Sequence, residues 1–193
     1  DDHIALDAST KRNLELVASM QDGSRDGSLV SILDDTCTPM GGRRLRAWLV
    51  RPLRQVDAIR RRLNAVNALF DDRDLREDLR EELSQVGDLE RLAGKIATGR
   101  ATPRDLTSVK LTLRQIPPIK QLLAEAEDET LRGIADQLTL CRDVVERIDE
   151  ALVDDPPAKI SEGGLISDGF DDELDELREI ASSGKKWVTN LEQ

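Results

Sequence analysis

The chain has 193 residues, of which 35 % are charged and 2 % are aromatic, with no tyrosine. Its 28 Lys and Arg residues against 39 Asp and Glu residues give a net charge of −11 at pH 7. This acidity argues against strong unaided binding to the DNA backbone, and the lack of aromatic residues argues against a sheet protein. We predict an all-α helical bundle with, at most, short β pieces near the N-terminus and around residues 158–168.

The N-terminal part, residues 1–54, predicts short helical turns, loops and one longer helix. Asp7 and Ser28 are suitable N-cap residues. Thr38 followed by proline begins a helix that should end near Arg51, because Pro52 disfavours helical geometry in the residue before it. Its apolar side is predicted to pack in the core, with most of its arginines facing outwards.

Residues 55–153 predict a bundle of several helices. Leu63 and Val66 recur with their neighbours at helical spacing, which indicates one apolar helix face. Asp88 caps a helix that stops at Gly99, and Thr102 begins a capping box with proline at the next position. The residues predicted to form the structural core are Leu45, Trp48, Leu49, Leu63, Val66, Leu89, Leu92 and Leu106.

Two segments, residues 131–152 and the C-terminal residues 170–193, carry apolar residues at alternating steps of three and four. This heptad spacing predicts two long helices, each presenting a seam to a partner. The seams themselves, residues 131–152 and 170–191, cover 22 residues each, roughly 32 Å at the helical rise of about 1.5 Å per residue. Residues 154–169 form a connector between them. The seam residues are Leu131, Leu138, Val145, Leu152, Phe170, Leu174, Leu177, Val188 and Leu191.

Motifs that carry chemistry are absent from the sequence. It contains no phosphate-binding loop, no dinucleotide fingerprint, no nucleophile elbow and no His-Glu-x-x-His. A single histidine also cannot build a histidine-rich metal site with two distant cysteines. We therefore predict no catalytic, cofactor, metal or DNA-binding residue within this chain.

An arginine cluster remains to be explained. Residues 43–62 contain eight arginines against one acid, Asp57. Such a patch could contact phosphate despite the acidic whole, or it could pair with the acidic segment 71–90 or with a neighbouring domain. We favour the second interpretation. The possible interdomain basic patch consists of Arg43, Arg44, Arg60, Arg61 and Arg62.

Five blocks in chain order carry a more specific pattern. They include a T-x-M-G-x-R-x-L-R-x-W-L-x-x-P-L run and a final D-E-L-R-x-I. The blocks are LDASTKRNLEL (6–16), GSLVSILDDTCTPMGGRRLRAWLVRPL (27–53), IRRRLNAVNAL (59–69), DLERLAGKIATGRATPRDL (88–106) and DGFDDELDELREIASSGKKWVTNLE (168–192). Together they resemble the core, or lever, region called domain III in the bacterial MutS family of DNA mismatch-repair proteins.

The resemblance implies that residues 1–193 are a lever module in a cytoplasmic mismatch-repair ATPase. In such a parent, ATP and Mg²⁺ bind in an ATPase domain, mismatched DNA binds through other domains, and the lever couples the two. The resemblance also implies a homodimeric parent, a MutL partner and no membrane association. Residues 170–193 would begin the helix that leads to a DNA clamp, and the Thr38–Arg51 helix would belong to the core bundle.

Two further expectations concern the chain itself. It begins at Asp1 rather than methionine, so we expect it to be part of a longer protein. The second seam would then lack its partner here, and we expect self-association through residues 170–193. The alternative function is a stand-alone α-helical scaffold that binds other proteins through the same seams.

Overall fold

The structure, a computed structural model, describes the backbone of residues 2–191 and the side chains as far as Ser183. The fold is all-α, as predicted. Pairing of extended backbone within the described part is limited to two isolated bridges, His3 with Leu53 and Leu152 with Ile166. The helices are α1 (Ala8–Asn13), α2 (Leu29–Leu33), α3 (Pro39–Val50), α4 (Val56–Asp71), α5 (Arg73–Ser84), α6 (Leu89–Ala97), α7 (Pro103–Arg114), α8 (Ile116–Glu125), α9 (Glu129–Gln137), α10 (Arg142–Ala151) and α11 (Asp172–Leu191).

Helix ends follow local capping chemistry. The Thr38 hydroxyl accepts a hydrogen bond from the Gly41 amide at 2.9 Å and caps α3. At the start of α7, the Thr102 hydroxyl and the Asp105 carboxylate make the reciprocal bonds of the predicted capping box. These bonds satisfy amides that have no partner inside the helix, so the predicted helix starts at these residues are confirmed.

Two apolar clusters form the interior. The first lies between α5, α8 and α9 and is lined on one side by Ala65, Ala68 and Leu69 of α4. The second lies between α6, α7 and α10. Leu92 is buried in the second cluster, where Leu89 and Leu106 pack against it. Leu45 and Leu49 of α3 are half-buried.

The predicted long helix over residues 131–152 is wrong. The chain leaves helical geometry after Gln137, and α10 begins only at Arg142. Cys141 lies between them in the left-handed region, with φ of 47°. The Lys120 ammonium group donates to the Leu138 carbonyl at 2.8 Å, which satisfies an oxygen at the end of α9.

The seam residues of this segment therefore belong to two different cores. Leu131 is buried in the first cluster, and Leu138 packs against it. Val145 packs against the second cluster, in which Leu152 is buried. A heptad pattern indicates which side of a helix is apolar, but it does not require the residues to share one helix.

The predicted core face of α4 is also wrong. Leu63 is 55 % exposed and Val66 is 61 % exposed. Helix α4 instead turns its small residues inwards, because alanine lets it lie close to α5 and α9. Trp48 of α3, another predicted core residue, is 42 % exposed.

The last helix, α11, extends from the bundle. Phe170 precedes the helix and Leu174 lies in its first turn, and both are half-buried. Leu177 and Ile180 are exposed. The side chains of Val188 and Leu191 lie outside those described. Within the described residues, no helix is both long enough and apolar enough to cross a membrane.

Candidate interdomain surface and arm joint

Arg43, the first residue of the predicted basic patch, makes contacts within the chain. Its guanidinium group donates to both carboxylate oxygens of Asp88 at 2.7 and 2.8 Å, and to Glu90 at 3.1 Å. These bonds tie α3 to the start of α6. The Arg43 hydrogen bonds lower the pKa of the Asp88 carboxyl to about 2, with help from the Arg91 amide. This part of the patch is therefore a contact with the acidic segment, as the favoured interpretation required.

Arg62 of α4 makes a different contact. Its guanidinium carbon lies 3.7 Å from the centre of the Trp48 ring, a cation–π arrangement that joins α4 to α3. Burial lowers the pKa of the Arg62 guanidinium, and the neighbouring positive charge of Arg44 lowers it further. The structure thus brings Arg44 and Arg62 together, like charge beside like charge.

A groove of about 570 Å³ lies between α3 and α4. Its lining includes four arginines, Asp2 and Trp48. Among the side chains of residues 2–183, no carboxylate lies within 4.0 Å of a guanidinium nitrogen of any groove arginine. The groove arginines are Arg44, Arg51, Arg61 and Arg62.

Arg60 is exposed on α4 and does not line this groove. It has no carboxylate within 4.0 Å among the same described side chains. The predicted patch is therefore divided: Arg43 is paired within the chain, whereas its other members present positive charge along α3 and α4.

At the other end of the chain, a short connector joins the bundle to α11. The Val153 amide donates to the Leu165 carbonyl at 3.1 Å, and the Ser167 amide donates to the Ala151 carbonyl at 3.0 Å. These bonds flank the bridge that pairs Leu152 with Ile166. The predicted extended piece thus holds the connector against the end of α10.

Arg178 fastens α11 to this connector, and we call its contacts the arm joint. Its guanidinium group donates to the Ile166 carbonyl at 2.7 Å, to Asp168 at 2.8 Å and to Asp175 at 3.0 Å. Asp175 in turn accepts the Gly169 amide at 2.6 Å. One side chain therefore joins the second turn of α11 to the strip of backbone that pairs with α10.

Aromatic packing adds to the arm joint. The Arg147 guanidinium carbon of α10 lies 4.5 Å from the centre of the Phe170 ring. The Asp171 carboxylate accepts the Leu174 amide at 2.9 Å and caps the start of α11. The bundle, connector and first turns of α11 are therefore held by contacts on several sides.

Sequence reasoning did not single out Arg178. It lies inside the D-E-L-R-x-I block, but its partners include a backbone carbonyl in the connector, which leaves no spacing signal in a sequence. Two predicted seam residues close to it in the sequence, Leu174 and Leu177, belong to the same helix, α11. Within the described residues, no group of three or more His, Cys, Asp and Glu side chains is arranged to hold a metal ion.

Comparison with known proteins identifies the family of this chain. The family model described as MutS domain III matches residues 9–192. A protein of Salinibacter ruber named DNA mismatch repair protein MutS is 67 % identical over 192 residues, covering 100 % of this chain and 21 % of that protein. Proteins of the same name from an Exiguobacterium species and from Bacteroides fragilis are 46 % and 44 % identical, each over 193 residues.

The alignments cover far more of this chain than of each relative. Each alignment includes the whole of this chain but only 21 %, 23 % and 22 % of the respective relative. The chain thus spans about a fifth of the length of the curated relatives it matches. On the family model and the identities together, the chain belongs to the MutS family and corresponds to its domain III.

Proposed function

We propose that this chain is the lever of a mismatch-repair ATPase, carrying nucleotide-dependent motion to the part of the parent protein that clamps DNA. It performs no catalysis itself. ATP and Mg²⁺ bind to an ATPase domain elsewhere in the parent, and mismatched DNA binds to other domains. Coupling two distant sites requires an element whose position both sites influence, and a stiff helix on a firm base meets that requirement.

The arm joint is the observation that carries this proposal. Helix α11 has 20 residues, about 30 Å at the helical rise of about 1.5 Å per residue. Arg178 and the connector attach its first turns to the bundle, while Leu177 and Ile180, on either side of Arg178 in the sequence, are exposed. A helix fixed at one end turns a small rotation of its base into a larger displacement of its far end.

The proposal also specifies the surroundings of the lever. The relatives' names support a role in mismatch repair, and we propose a homodimeric parent in the bacterial cytoplasm that works with MutL. In isolation, the exposed Leu177 and Ile180 favour self-association of the chain through residues 170–193. Sedimentation of the isolated chain over a range of concentrations measures this directly.

Arg178→Ala in a full-length parent tests the lever. We expect ATP binding and mismatch binding to stay within about twofold of wild type, because in this proposal both ligands bind to other domains of the parent. ATP-triggered release of mismatched DNA should slow at least about fivefold, the lower end of typical coupling between sites. Stopped-flow release of a fluorescent mismatched duplex after ATP addition provides the rate.

Two further variants separate this effect from loss of charge. Arg178→Lys keeps the charge but cannot reproduce three guanidinium hydrogen bonds, so it should fall between wild type and Arg178→Ala. Arg73→Ala removes an exposed arginine that pairs with Glu77 on the same helix, α5, and should leave release unchanged. If the Arg178→Ala variant releases mismatched DNA at the wild-type rate, the arm joint is ruled out as the coupling element.

A further inference from the structure

Helix α4 exposes a continuous row of large apolar side chains, which we call the α4 stripe. Its members recur at steps of three, four, three and four, so they share one side of the helix. They extend over about 21 Å at the helical rise of about 1.5 Å per residue. The stripe consists of Val56 (57 % exposed), Ile59 (37 %), Leu63 (55 %), Val66 (61 %) and Phe70 (75 %).

The side chains of the α4 stripe do not belong to the packed core of the bundle. The opposite side of α4, with Ala65, Ala68 and Leu69, is the side that packs against the first cluster. A polar surface would be expected opposite a buried helix face, since amphipathic helices expose their charged side. Helix α4 is apolar on both sides instead, as a helix between two packed layers is.

Arginines border the α4 stripe on both sides. At roughly 100° per residue, Arg60 and Arg62 lie roughly 80° to either side of the middle of the stripe. Beyond Arg62 lies the groove that contains Arg44, Arg51 and Arg61. The chain has 39 acidic residues, yet none of the described carboxylates lies within 4.0 Å of these arginines' guanidinium nitrogens.

We propose that the α4 stripe and its bordering arginines are the docking surface for an amphipathic helix that carries carboxylates on both sides of its apolar face. The helix comes from the part of the parent polypeptide outside these 193 residues. Its apolar residues cover Leu63, Val66 and Phe70, and its carboxylates meet Arg60 on one side and Arg62 on the other.

The apolar row decides between a protein partner and a nucleic acid. A DNA backbone would satisfy the arginines but would leave Val66 and Phe70 against phosphates and water. The Arg62 guanidinium group lies over the Trp48 ring and so occupies a face on which a base could otherwise stack. A helix of complementary charge covers the apolar row and neutralises the arginines at the same time.

The source of the helix follows from the extent of the surface and the size of the relatives. Apolar residues at heptad spacing are the pattern with which two helices pack lengthwise against each other. About four fifths of each compared relative lies outside the region that matches this chain, which is 21 % of the Salinibacter protein. The same polypeptide therefore supplies ample chain for a permanent partner.

Photo-crosslinking in the full-length parent tests the proposal. Benzoylphenylalanine replaces Val66, the sample is irradiated without nucleotide or DNA, and mass spectrometry identifies the joined peptides. We expect one dominant intrachain crosslink to a segment outside residues 1–193 that has apolar residues at helical spacing and Asp or Glu beside them. Benzoylphenylalanine in place of Glu146, an exposed residue on α10, serves as the matched control. Should the Val66 variant fail to fold, Phe70, the most exposed stripe position, takes its place.

Charge variants test the bordering arginines. Arg60→Glu with Arg62→Glu should reduce the Val66 crosslink at least fivefold, whereas Arg60→Lys with Arg62→Lys should retain most of it. A crosslink between two copies in a sample of mixed isotopes, a crosslink to DNA when a mismatched duplex is added, or a yield no higher than at Glu146 would each overturn the proposal. The crosslink requires no nucleotide, so its failure would leave the Arg178 result standing.

Discussion

At the scale of single residues, the least expected side chain is the buried Lys110. Only 5 % of its side chain is exposed, and its ammonium group lies 2.8 Å from the Asp149 carboxylate. Arg114 pairs with the same carboxylate. The Lys110 hydrogen bond lowers the pKa of the Asp149 carboxyl, ahead of the contribution from Arg114. Asp149 therefore compensates a buried charge and joins α7 to α10.

Asp149→Ala should lower the free energy of unfolding by about 1–3 kcal/mol, because it leaves the Lys110 ammonium buried without its partner. Adding Lys110→Met should recover much of that loss, since the buried charge is then removed as well. Urea unfolding at pH 7 measures both variants. Glu146→Gln on the same helix is the control, and a double variant no more stable than Asp149→Ala would contradict this explanation.

The lowered pKa values of two carboxyl groups indicate how the stability of the chain changes at acid pH. The pKa of Asp88 and that of Asp105 are each lowered to about 2, chiefly by hydrogen bonds from Arg43 and from Lys95. Their unfolded pKa is about 3.9, so the stability they contribute is present above about pH 4 and is lost as the pH falls towards 2.

Asp88→Asn and Asp105→Asn should therefore differ most from wild type at neutral pH and approach it near pH 2.5. Urea unfolding at pH 7, 4 and 2.5 follows this convergence. Asp78→Asn, at an exposed position on α5, is the control. A stability difference that stays constant over this range would show that the two ion pairs do not act through the carboxylate charge.

Residue-level chemistry could be predicted from the sequence where it is local. The caps at Thr38, Asp88 and Thr102 depend on neighbours within three residues, so sequence spacing reveals them. The partners of Arg43 are more than 40 residues away, and two of the three Arg178 partners, Ile166 and Asp168, lie in the connector. Only the fold identifies such contacts.

At the scale of elements, the main correction is the division of residues 131–152 into α9 and α10. The apolar spacing continues across the break because both helices turn their apolar sides inwards, although to different clusters. The prediction of which face of α4 is buried was wrong for a related reason. Both of its faces are apolar, and the alanine face, which permits close approach, packs in this bundle.

Cys141 offers a test of that break. Because it adopts a left-handed conformation, Cys141→Val should be less stable than Cys141→Gly by about 1 kcal/mol or more. A single helix across residues 131–152 would reverse the order, since glycine is the poorer helix former. Thermal and urea unfolding of both variants decide between these outcomes. Val144→Gly inside α10 is the control and should destabilise the chain.

At the scale of the whole molecule, the structure combines a two-cluster bundle with a projecting α11. The all-α class was predictable from composition and periodicity, and the family from five ordered sequence blocks. The exposed α4 stripe was not, because a sequence pattern shows that a face is apolar without showing what covers it. For the same reason the arm joint could not be predicted, because a connector rather than a helix seam supports α11.

The central claim is that the bundle and the base of α11 move as one body. The most direct test is the distance between spin labels at Glu146 and Glu179, on α10 and α11, in a full-length parent without other reactive cysteines. We predict one narrow distance distribution that ATP does not shift, and a broader one after Arg178→Ala. A broad or ATP-shifted distribution in the wild-type background would contradict the claim, because the joint would then be a hinge rather than the base of a lever.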